Sequence, residues 1–154
     1  MQPYPSGDPV ARPTVDARRL WAGGLATAVV AALVAVVGVV VARGIFDIPV
    51  LAPKGSGTFG DVSTGGLALA AAAGALVATG LMHLLLLSTP RPFSFFGWIV
   101  VLATALAALI PFSFDAELDA KLATAIITVL IGIAIGSLVS GVARRSLQRR
   151  KGVA

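Results

Sequence analysis

The chain has 154 residues, of which 57% are hydrophobic and only 12% charged, against roughly a quarter charged in an average soluble domain. With a mean hydropathy of +0.94, this composition excludes a water-soluble globule. The formal charge of +5 does not indicate nucleic acid, because the basic residues flank apolar runs instead of forming a stripe with interleaved aromatics.

No cysteine is present, which excludes disulfides, thiolate metal sites, iron–sulfur clusters and cysteine nucleophiles. With one histidine and few acids, no metal site and no cofactor are expected. The apolar runs leave room for four membrane spans and short connections, and for no separate soluble domain.

Residues 1–17 carry Pro3, Pro5, Pro9 and Pro13 among polar residues and read as a disordered tail. Arg18 and Arg19 then open an apolar run from Leu20 to Ala42. A signal peptide has an apolar region of only about 7–15 residues before a small-residue cleavage site. This run is longer and reads as a retained first helix, 20–42.

Residues 43–64 hold Pro49, Pro53 and four glycines, a density of breakers that predicts an irregular outer loop. Its inner part, GIFDIPVLAP, is apolar enough to lie at the headgroup boundary with Phe46 and Ile48 dipping inward. The second helix, 65–87, contains the sole histidine, His83, and runs into STPRPFS, a tight hairpin in which Pro90 and Pro92 bracket Arg91. The third helix, 93–110, opens on Phe93, Phe95, Phe96 and Trp98, an aromatic cluster suited to an interface belt.

Pro111 closes the third helix. Asp115, Glu117 and Asp119 follow, where they complement the positive end of the fourth helix, 122–142. Glu117 and Lys121 form an i, i+4 pair of favourable orientation. Residues 144–154, beginning RRSLQRRKG, read as a solvated basic tail.

The sequence thus predicts an all-α, multi-pass membrane domain over residues 18–143, with four transmembrane helices in an antiparallel bundle. Nine of the twelve Lys and Arg residues fall on the side that holds both termini, and five of the seven acids fall on the other. Because cytoplasmic loops carry the excess of Lys and Arg, both termini are expected in the cytoplasm. Trp21 and Trp98 then lie at the cytoplasmic interface, a level that tryptophan prefers.

Two groups of residues carry functional readings. On the fourth helix Thr124, Thr128, Gly132, Gly136 and Ser140 recur every four residues, and Gly66, Ala70, Gly74 and Ala78 do so on the second. Such faces let backbones approach closely. They serve either packing within the bundle or contact with a second copy or a larger membrane complex.

Thr79, His83, Trp98, Ser137 and Ser140 are expected at similar depth in the cytoplasmic leaflet, as a small polar cluster. His83 there is either a proton-titrating or ligand-contacting group or a neutral, hydrogen-bonded one at the interface. Arg91 and the basic tail suit lipid phosphates or simple topological anchoring. No paired intramembrane carboxylates, Gly-rich phosphate loop or Ser–His–acid motif is present.

From Arg18 to about Arg145 the chain resembles an uncharacterised family of small four-helix integral membrane proteins of high-GC bacteria, a domain of unknown function. RRLWAGGL, RGIFDIPVLAP and HLLLLSTPRPFSFFGWI carry the resemblance. It implies the same fold and a location in the bacterial plasma membrane, and brings no functional residue with it.

The expected role is an interaction or accessory component of the membrane, without enzymatic activity. Its partners are the lipid bilayer and, through the small-residue faces, another membrane protein or a second copy. The alternative is a small transporter or proton-linked permease using the polar cluster around His83. All nine prolines lie outside the expected spans, and no repeat relates the helix pairs, whereas transporters often use broken helices within repeats.

Overall fold

The computed structural model describes residues 16–54, 58–61 and 63–147. The expected tail up to residue 15, and residues 148–154 of the expected basic tail, lie outside the described residues. Four helices dominate: α1 (Ala17–Gly44), α2 (Thr64–Ser88), α3 (Pro92–Leu109) and α4 (Leu118–Leu147). With the 3-10 turn Ile110–Ser113 appended to α3, each is long and apolar enough to cross a membrane.

Their ends are set by local chemistry. The Asp16 carboxylate accepts from the Arg19 N–H at 3.2 Å and caps α1, and the Ser63 hydroxyl accepts from the Gly66 N–H at 3.1 Å and caps α2. Pro92, at the first turn of α3, needs no intrahelical partner for its nitrogen. α4 begins four residues before the expected Leu122 and runs five beyond Val142. Arg144 and Arg145 are therefore helical, with Ala143 and Ser146 buried on the opposite face.

Close approaches between helices give the topology. Gly24 of α1 faces Thr79 of α2, next to Gly80 beside Trp21. Gly23 faces Val142 and Gly38 faces Ile127, so α1 and α4 are antiparallel; Gly132 with Thr104 and Gly136 with Val100 make α3 and α4 antiparallel. The result is an antiparallel four-helix bundle in which the start of α1 and the end of α4 lie at one end, and the end of α1 and the start of α2 at the other.

The core is a seam of small and branched residues. On α1 it comprises Leu20, Gly24, Thr27, Ala28, Ala31, Ala35, Val39 and Ala42, spaced three or four apart on one stripe. Ile127, Ile131, Ile135 and Val139 of α4 and Ala71, Ala75, Thr79 and Met82 of α2 complete it. Leu33, Val37, Leu69, Leu102 and Leu130 point outward and are more than half exposed, the apolar exterior that lipid requires.

On α2 the buried stripe runs one residue beside the expected one: Gly66, Ala70 and Gly74 are exposed. Four threonines, 27, 79, 124 and 128, donate their hydroxyls to the carbonyl four residues back at 2.7–2.9 Å. That satisfies a polar group inside its own helix, where lipid offers no partner.

The described residues of the 45–63 connection are more regular than the glycine and proline content predicts. Asp47 adopts a left-handed backbone, φ 55°, which turns the chain after α1, and the Ile48 N–H donates to the Ala42 carbonyl at 2.9 Å. Strands β1 (Leu51–Lys54) and β2 (Thr58–Asp61) then pair antiparallel, Leu51 opposite Asp61 and Lys54 opposite Thr58. Val50 is fully buried, and the Leu51 N–H donates to the Thr124 hydroxyl at 3.0 Å, tying this hairpin to α4.

Candidate functional site

α3 is the outermost helix of the bundle. Phe96 is its one buried residue, completely enclosed, and Phe93, Val100 and Thr104 share its inward face. α3 meets α4 where α4 is smallest. A methyl group built on Gly132 would collide with the Thr104 side chain, and one on Gly136 would stand 3.0 Å from Val100 Cγ1.

The small-residue face of α4 therefore receives the side chains of α3, and Ser140 continues it toward the termini. At that end the Arg144 guanidinium lies 5.3 Å from the centre of the Phe93 ring and joins the two helices by a cation–π contact.

Two helices that approach through small residues leave a shallow furrow on their outer side. Between α3 and α4 it encloses about 520 Å³, bordered by Gly97, Val101 and Ala105 on one wall and Ile133, Ser137 and Ser140 on the other. A side chain on Gly97 would meet nothing within 4 Å. The Ser137 hydroxyl donates to the Ala134 carbonyl at 3.1 Å, so it faces the furrow without an unmet donor.

The five polar residues expected together are divided among three surroundings. Thr79 is fully buried in the α1–α2 seam against Gly24. His83, four residues on, lies on the flank that α2 turns to α1, level with Leu20 by the antiparallel register. It is half-buried, and its Nδ1 is enclosed without a hydrogen-bond partner among the described residues.

Trp98 is 68% exposed on the outer face of α3. Only Ser137 and Ser140 share a site, the α3–α4 furrow. Depth along the bundle brings these residues together; angular position on each helix separates them.

Gly97 and the Gly23–Gly24 pair lie outside the four-residue repeats of small residues on the second and fourth helices. Gly97 lies in an aromatic cluster that masks it, whereas two adjacent glycines inside an apolar span are a readable sign of close helix approach. Among the described residues no three His, Asp or Glu side chains are grouped to hold a metal ion.

Comparison with curated proteins and with solved structures gives no match. A family model matches residues 15–145, a span that takes in all four helices up to the last turn of α4. The chain belongs to a family of unknown function, DUF6069.

Proposed function

We propose that this protein is an interaction or accessory component of the bacterial plasma membrane, with both termini cytoplasmic and no enzymatic activity of its own. Its partner is another membrane protein, one of whose transmembrane helices crosses the α3–α4 furrow. The orientation rests on the excess of Lys and Arg at the end that holds the termini.

The observation that carries the docking role is the furrow bordered by Gly97, Ser137 and Ser140. In lipid, helices associate through close backbone approach and interhelical hydrogen bonds, and small residues with a few hydroxyls supply both. A helix crossing at about 40° touches only a few turns of its neighbour, which suits the furrow's length. The permease reading draws no support from the arrangement, since its five residues occupy three surroundings.

Gly97→Leu tests the reading, because a side chain at that position fills the furrow without striking the bundle. The wild-type chain should leave mild detergent with a stoichiometric partner. The variant should keep its thermal stability and lose that partner. Recovery of the wild type as a homo-oligomer alone, with Gly97→Leu indistinguishable from it, would favour the permease.

A further inference from the structure

The geometry points to a second furrow, between α1 and α4 at the hairpin end, as a binding site for one acyl chain of an aminophospholipid, with the primary ammonium of the headgroup at the Asp119 carboxylate. The furrow encloses about 640 Å³, and its lining is apolar except for Asp119. Gly38 forms part of its floor, close to Ile127. Leu33 and Val37 on one side and Ile126 and Leu130 on the other form its walls.

Length and width decide the occupant. The lining runs from Val30 and Leu130, near the middle of their helices, to Ala42 and Asp119 near the ends. Twelve residues of α1 at about 1.5 Å each make roughly 18 Å, close to the ~15 Å of hydrocarbon in one leaflet. Unlike the α3–α4 furrow, its walls are bulky aliphatic side chains, which would hold a partner helix away from the floor. A flexible hydrocarbon chain fits between them.

The mouth supplies the selectivity. Phe46 and Ile48 form its apolar rim, and the buried Val50 with the Leu51–Thr124 hydrogen bond holds the segment that follows them against the bundle. Asp119 is the charged residue of the lining, and the exposed Asp115 and Glu117 add negative charge at the same end, where Arg43 and Lys121 also stand. A primary ammonium offers three N–H donors to a carboxylate, whereas choline offers none and a glycerol headgroup brings no cation. Phosphatidylethanolamine is thus the ligand class favoured over phosphatidylcholine and phosphatidylglycerol.

Native mass spectrometry of the full chain, taken from nanodiscs with equal parts of these three lipids, tests the site. The wild type should retain one lipid, with ethanolamine favoured about fivefold or more. Asp119→Asn should still retain one lipid but without preference, and Glu117→Gln, outside the lining, should behave as wild type.

Val37 and Leu33 are 59% and 58% exposed, so Val37→Trp or Leu33→Trp fills the furrow rather than the core and should abolish retention in a chain that melts normally. A wild type that retains no lipid would overturn the proposal. So would an Asp119→Asn variant with undiminished preference, loss of preference in Glu117→Gln, or retention by both folded tryptophan variants.

Discussion

Gly24→Leu should lower the melting temperature of the bundle in detergent by about 10 °C. That corresponds to about 3 kcal/mol, the upper part of the usual overpacking range. A Cβ at position 24 would lie 2.5 Å from Thr79 Cγ2 and 2.6 Å from its Oγ1. Thr79 cannot swing aside: it is fully buried, β-branched and held by its own hydroxyl on the Ala75 carbonyl at 2.8 Å.

The added side chain must therefore pry α1 from α2. Thermal unfolding checks this, with Gly44→Leu as the control, because a side chain at Gly44 meets nothing within 4 Å. Equal melting of the two variants would show that α1 and α2 do not meet at Gly24.

Phe96→Ala should release α3 from the bundle. It removes the one enclosed side chain of that helix and leaves a cavity level with Ser140, one turn beyond the Val100–Gly136 contact. A soluble core loses about 3–5 kcal/mol for such a change. Here about 3 kcal/mol is expected, since lipid is as apolar as the core and the transfer part is missing.

Trp98→Ala deletes a larger ring but one that is 68% exposed, and should cost well under 1 kcal/mol. Hydrogen exchange along α3 distinguishes them, with protection lost in Phe96→Ala alone. Protection unchanged in both would mean that α3 is held by contacts other than Phe96.

Much of the fold is legible in the sequence because bilayer thickness imposes it. An apolar run of about 20 residues has few alternatives to a spanning helix, and the Pro90–Arg91–Pro92 hairpin and Pro111 mark breaks that the chain obeys. The helix seams were harder to read. On α2 nearly every residue is apolar or small, so Gly66, Ala70 and Gly74 looked as suitable for packing as Ala71 and Ala75, one position on.

Which stripe turns inward depends on where α1 stands, a long-range fact absent from the local pattern. The same holds for His83 and Trp98: depth follows from counting residues, but facing direction follows from the whole bundle. The hairpin of β1 and β2 escaped notice because its two strands are only four residues each and contain Pro53 and Gly60, residues that ordinarily argue against strands. Its attachment point, Thr124, read as one more small residue of α4.

The most direct test of the central claim, a four-span bundle with its chain ends in the cytoplasm, uses the absence of cysteine from the chain. Ser88, at the end of α2, and Ser113, after α3, are both exposed and lie at opposite ends of the bundle. Ser146 would not serve, because it is buried with its hydroxyl on the Ala143 carbonyl.

An impermeant thiol reagent applied to intact cells should label Ser113→Cys and leave Ser88→Cys untouched until the cells are opened. Labelling of Ser88→Cys alone would reverse the orientation, and labelling of both in intact cells would contradict the four-span arrangement itself.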